Sequence, residues 1–154
     1  MIEQTLVLLK PDAFQRAILG NIIQRIEQKG LKLIGLKMLK LSKELCREHY
    51  SHLLTKPFYP SLEKFMTSGP IIAMVVEGPA AVEIVRQLCG PTDGKKAPAG
   101  TIRGDFSIST QFNVIHASDS IETAKKEIKR FFSENEIFHW KRIVEEFTFS
   151  EDEK

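Results

Sequence analysis

The run Asn113-Val-Ile-His116-Ala-Ser118-Asp119-Ser120 sets one imidazole at the end of an apolar stretch, just before a helix-start signal. An imidazole gripped between a strand and a capped helix is fixed in space, as a nitrogen nucleophile must be. Phosphoryl transfer is the chemistry that suits it, because that reaction asks mainly for an in-line attacker and for cations and donors around phosphate oxygens. Lys10 ends the first apolar run, where ligand sites on open sheets gather. Arg86 lies in the last turn of a helix, Thr92 opens a glycine-rich stretch and Arg103 follows it. Two guanidinium forks and an ammonium match a polyphosphate. Glu127 flanks the apolar stripe of the last long helix, one turn from Ala124 and Phe131, and so faces partly inward. A carboxylate on one ring nitrogen fixes the tautomer and makes the other nitrogen the better nucleophile. Tyr50, Phe58 and Leu62 border a mid-chain loop, where an aromatic face can stack on a base without reading its edge, which implies low base selectivity.

Each residue also has a plain structural reading. Lone histidines are usually buried fillers or surface groups, and His49, His52 and His139 are read that way. His49 and His52 are close enough on a helix to share a metal, yet no third ligand is evident. Arg86 could simply complement a helix C-terminus, and Glu127 could pair with Arg130 or Thr123 on its own helix. Gly90 and Gly94-Lys95 have the wrong spacing for a P-loop, and no Ser or Thr follows the lysine. Arg103-Gly-Asp105 is a chance match to an adhesion tripeptide.

The elements that position these residues follow from periodicity. Thr5–Leu9 and Ile71–Val76 are continuous apolar runs and read as buried strands; Leu31–Leu41 alternates in part and reads as another. Asp12 with Gln15 resembles a capping box opening a short helical turn. Leu19, Ile22, Ile23 and Ile26 recur at helical spacing before Gly30. Ser42 starts a helix to about Leu54, Pro57 and Pro60 mark a loop, and a short helix covers Ser61–Thr67. Gly78-Pro79 starts a helix that Gly90 ends. Pro91–Gly104 lacks an apolar period and reads as a functional loop. Phe106–Ile108 reads as a short edge strand, and Ser118 or Ser120 caps the last helix. The alternation βαβαβαβα predicts an α+β, ferredoxin-like (split βαβ) fold: an antiparallel four-stranded sheet with helices packed on it.

Composition bounds the rest. A chain of 154 residues suits one domain, 1–154, with residues 150–154 expected to fray. A formal net charge of +2 is too mild to predict nucleic-acid or membrane binding from bulk electrostatics. No apolar run reaches a membrane span, and no basic, apolar leader opens the chain, so the expected compartment is the cytoplasm. Cys46 and Cys89 stand alone and read as buried fillers.

Along nearly its whole length the chain resembles nucleoside diphosphate kinase. The resemblance is carried by Thr5-Leu-Val-Leu-Leu-Lys10-Pro11-Asp12, Glu27-Gln-Lys-Gly30, Glu48-His-Tyr50, Pro57-Phe58, Ser68-Gly-Pro70, Pro98-Ala-Gly100-Thr-Ile-Arg103-Gly-Asp105-Phe106 and the His116 run. It implies ping-pong transfer of a γ-phosphoryl group from a nucleoside triphosphate to a nucleoside diphosphate. His116 matches the phosphorylated histidine, attacked through its δ nitrogen, and Glu127 the carboxylate on the other nitrogen. Lys10, Tyr50, Arg86, Thr92, Arg103 and Asn113 match positions that hold phosphates and sugar hydroxyls. Phe58 matches the base platform, with Leu62 beside it. Ser118 matches a group bonded near the glutamate, and Asp119 one near the metal's water shell. Magnesium is implied as cargo of the nucleotide, not of a protein cage, and a homo-oligomer, hexamer or tetramer, is implied as the assembly. Three departures stand out. Ala117 replaces a frequent glycine, Asp93-Gly-Lys-Lys-Ala-Pro98-Ala replaces a commoner Asn-Pro loop start, and Thr110 stands where a small aliphatic residue often covers the base. The alternatives are a non-catalytic nucleotide-binding or regulatory protein on the same fold and a single-stranded nucleic-acid binder.

Overall fold

The structure, a computed structural model, describes residues 1–153. Strand β1 (Ile2–Leu9) is followed by helices α1 (Pro11–Gln15) and α2 (Leu19–Gln28), then by β2 (Lys32–Lys40), α3 (Lys43–His49) and α4 (Tyr59–Met66). β3 (Pro70–Pro79), α5 (Ala81–Cys89), α6 (Ile102–Phe106), β4 (Ile115–Ala117) and α7 (Ile121–Phe131) complete the regular elements. The four strands form one sheet in the order β2-β3-β1-β4, and every pairing is antiparallel. This is the ferredoxin-like arrangement predicted above.

β1 is apolar throughout its second half because both of its faces are covered. Leu6 and Leu8 enter a core shared with Cys46 of α3, Phe65 and Met66 of α4 and Phe131 of α7. Val7 and Leu9 enter the opposite core with Ile22 and Ile26 of α2, Val85 of α5 and Ile102 of α6. Side chains alternate along a strand. In β4, Ile115 and Ala117 therefore join the second core, while His116, paired with Leu8, faces α3 and α7. β2 forms one edge of the sheet and leaves Leu36 and Met38 exposed.

Several element boundaries differ from expectation. Gly78 and Pro79 close β3 instead of opening a helix, and Pro79 pairs with Ile2 at the strand's last position, where a missing donor costs little. α5 starts two residues later, after Ala80 turns left-handed (φ 45°), and the Glu3 carboxylate accepts the Val82 N–H at 3.2 Å. Pro91–Gly104 is not all loop: a 3-10 turn spans Gly94–Lys96, and Thr101 caps α6 by accepting the Gly104 N–H at 3.0 Å. Phe106 ends that helix, so the expected Phe106–Ile108 strand is absent; the Ser107 hydroxyl, with one hydrogen to give, lies within donating distance of the Ser109 and Phe112 carbonyls there. α3 stops at His49, a 3-10 turn covers Ser51–Leu53, and α4 starts at Tyr59 with Pro60 in its first turn. Asp12 caps nothing; its carboxylate is used elsewhere, as described next.

Candidate active site

His116 sits where β4 leaves an irregular approach. Val114 has φ 62°, and the Ile115 N–H donates to the Asn113 carbonyl at 2.8 Å, closing a three-residue γ-turn. A β-branched residue in the left-handed region costs about 1–3 kcal/mol and persists only when its surroundings over-determine it. Here they do. Val114 is fully buried, its N–H donates to Asp12 Oδ2 at 3.1 Å, and its carbonyl accepts the Lys10 N–H at 2.9 Å. Burial raises the Asp12 carboxyl above its ordinary value in spite of that bond. Asp12, read as a helix start, is thus a clamp on the chain leading into His116.

The imidazole turns Nε2 toward Glu127, 3.2 Å from Oε1 and 3.3 Å from Oε2. Nδ1 has no hydrogen-bond partner among the described residues, and the ring lines a cavity of about 540 Å³. Ser118 Oγ donates to Glu127 Oε2 at 2.6 Å and accepts the Leu6 N–H at 3.3 Å. That settles the two capping candidates: Ser120 caps α7 by accepting the Thr123 N–H at 3.1 Å, and Ser118 belongs to the site. Burial pushes the Glu127 carboxyl up, but the His116 and Ser118 hydrogen bonds outweigh it, and the group stays ionised below the usual carboxylate range.

Cations gather at the same end. Lys10 is buried, and its Nζ donates to Asn113 Oδ1 at 2.6 Å. Asn113 is itself held, donating through Nδ2 to the Thr92 and Thr110 carbonyls. Burial, then the Arg103 charge, lower the Lys10 amine to about 8. Arg103 donates to the Gly90 carbonyl at 2.8 Å and the Ile115 carbonyl at 2.7 Å, while its Nε is buried without a partner among the described residues. The turn that presents it needs Gly104, where a Cβ would lie 1.9 Å from the Pro98 carbonyl oxygen. Arg86 and Thr92 line the cavity beside Arg103, and Asp119 lies at its rim, lowered by a hydrogen bond from Thr123. The buried Tyr50 hydroxyl also has no partner among the described residues, and burial raises it far above the usual phenol range. Tyr50 and Arg103 both line the cavity, so these unspent donors belong to residues beside a space that a ligand rich in acceptors would suit.

At the far end Phe58 is half-exposed on the approach to α4, Leu62 is buried behind it, and Thr110 and Gln111 stand across the opening. All the residues anticipated from the sequence meet in or directly behind this one cavity. Sequence reasoning missed Asp12 and also His49. His49 is 3% exposed, its ring meets that of His116 edge-on at 4.6 Å, and its Nδ1 is 3.6 Å from Glu127 Oε1. The helical position of His49, beside Tyr50, was the one available signal.

A family model described as nucleoside diphosphate kinase matches residues 3–137. A nucleoside diphosphate kinase of Staphylothermus marinus is 56% identical over 138 residues, 90% of this chain and 98% of that protein. The solved structure of the Halobacterium salinarum nucleoside diphosphate kinase in complex with CDP superposes with a TM-score of 0.95 at 42% identity, over 97% of this chain and 100% of that one. A Borrelia burgdorferi nucleoside-diphosphate kinase, captured as a transition-state mimic with bound vanadate and ADP, gives 0.88 at 38% identity, over 94% and 95%. Agreement in sequence and backbone over nearly the full length of both partners means that this chain belongs to the nucleoside diphosphate kinase family of enzymes.

Proposed function

We propose that the enzyme moves the γ-phosphoryl group of a nucleoside triphosphate to a nucleoside diphosphate through a phosphohistidine on His116, with low base selectivity. The observation that carries this reading is the division of labour on one ring: Nε2 is taken by Glu127 and Nδ1 is left free beside the cavity. In the first half-reaction the Nδ1 lone pair forms the N–P bond as the bond from the γ-phosphorus to the bridging oxygen breaks, and the diphosphate leaves with that electron pair. Positive charge grows on the ring, and Glu127, ionised and held by Ser118, stabilises it through Nε2–H. Lys10, Arg86 and Arg103 offset charge on the phosphate oxygens, Tyr50 and Thr92 supply neutral donors for phosphate or sugar oxygens, and Asn113, whose amide hydrogens are spent, offers Oδ1 as an acceptor. The second half-reaction is the reverse, with a different diphosphate as acceptor.

Magnesium fits as part of the nucleotide. Glu127 is engaged by the ring and by Ser118, which leaves Asp119, the other carboxylate lining the cavity, to meet the ion through water; when bound, the ion would neutralise phosphate charge. Phe58 offers a ring face and no edge-reading group, which supports a base held by stacking. Incubation with γ-labelled ATP is expected to leave acid-labile, alkali-stable label that GDP discharges. The label should vanish in His116→Ala, by at least roughly 10³-fold in rate; exchange at the wild-type rate in that variant would sink the reading.

A further inference from the structure

A chain of polar groups runs from the surface to the back of Glu127. Glu48 Oε1 accepts from Arg130 Nε at 2.9 Å, and Arg130 Nη1 lies 3.4 Å from His49 Nδ1. His49 Nδ1 is in turn 3.6 Å from Glu127 Oε1. A guanidinium can only donate. His49 Nδ1 must therefore be the acceptor, and the ring carries its proton on Nε2, an atom that is buried with no partner among the described residues. A buried donor left unpaired is costly, and its presence next to the reacting histidine calls for a reason. His49, His116 and Glu127 each offer one ligand atom within 4.8 Å of the others, but a metal ion would meet the Arg130 charge at Nδ1, so a cation is disfavoured.

We propose that Arg130 and His49 are positioning residues that reserve Glu127 for His116. Arg130 donates to His49 Nδ1, holds His49 as the Nε2–H tautomer and so denies the carboxylate a competing donor. Glu127 then accepts only from His116 Nε2–H and Ser118 Oγ–H, and Nδ1 of His116 keeps its lone pair for phosphorus. The inference rests on the reading of His116 as phosphate carrier. The ionisable groups around His49 are His116 from β4, Glu127 and Arg130 from α7, and Glu48, Tyr50 and His52 from its own stretch. Burial first, then the positive neighbours, bring His49 to about 3, so it stays neutral across the working range.

The test is Arg130→Met, with Arg130→Lys as the conservative variant and Glu48→Gln as a milder cut in the same chain. The readouts are ¹⁵N chemical shifts of the histidine ring nitrogens and the single-turnover rate of His116 phosphorylation by ATP against pH. In Arg130→Met we expect His49 to move its proton to Nδ1. The phosphorylation rate should fall about tenfold with KM little changed, and the acid limb of the rate profile should move to lower pH, because a carboxylate that also accepts from His49 favours a protonated neighbouring ring less. Lys should restore part of the rate, and Glu48→Gln should give a smaller shift in the same direction. An unchanged His49 tautomer and pH profile in Arg130→Met, in protein that still labels at His116, would overturn the proposal alone. Absence of label on His116 in the wild type would overturn the reading beneath it as well.

Discussion

At the His116 end of the cavity the charged side chains and their amide neighbour are bonded to further groups. Glu127 is bonded by His116 and Ser118, Asn113 by two carbonyls, Lys10 by Asn113, and Arg103 by two more carbonyls. At the Phe58 end the platform ring is half-exposed, and across the opening Gln111 Nε2 donates to Ser61 Oγ at 3.1 Å. The first region suits a transition state whose charges must be met without reorganisation. The second suits a substrate whose one constant feature is a flat π-face. On the proposed reading, the densely bonded groups lie where the bond breaks and the exposed ring lies where the substrate varies.

Three changes probe that contrast. Lys10→Met strikes the held end hardest: removing a buried cation that would meet the phosphate charge should lower kcat/KM on the order of a hundredfold. The wild type carries a signature of the same amine. Below about 8 Lys10 is charged and above it neutral, so kcat/KM should be flat at neutral pH and fall as pH rises through about 8. The fall should appear later in kcat, because bound phosphates hold the proton. A profile flat from pH 7 to 10 would refute the assignment. For stability the sign is opposite: the unfolded amine titrates near its ordinary 10.5, binds more protons between 8 and 10.5, and so Lys10 makes folding more favourable as pH rises through that window.

Glu127→Gln is the next in size. Gln keeps the shape and loses the charge, and the rate of His116 labelling should drop by roughly 10–100-fold while nucleotide binding holds. A wild-type labelling rate would show that the ring needs no charged partner. Phe58→Ala is the smallest. It should raise KM about fivefold, the lower end of what a stacked base contributes, and by the same factor for ADP, GDP and CDP. A loss confined to one base would mean that this end reads edges after all.

Legibility of the site tracked locality. His116, Ser118 and Ser120 stand in one short run, and Glu127 follows on the next helix, where periodicity alone gives its inward lean. Local spacing does not separate Ser118 from Ser120 as a cap, since both precede α7. The choice was made by Leu6, a residue 112 positions away whose N–H holds the Ser118 hydroxyl. Asp12 looked like a cap because it sits at a helix start, yet its partner is Val114, across the sheet. His49 and Arg130 belong to different helices, and nothing in their spacing joins them.

Fold class and the choice of His116 as the candidate imidazole were decided by the sequence itself, through apolar periods, the alternation of strands and helices, and one dense polar run. The left-handed turn at Val114, the clamp by Asp12 and the approach of His49 to Glu127 were decided only when β1, β4, α3 and α7 packed together. The reason is physical: periodicity is a property of neighbouring residues, whereas backbone strain and buried hydrogen bonds are sustained by groups that meet only across the core.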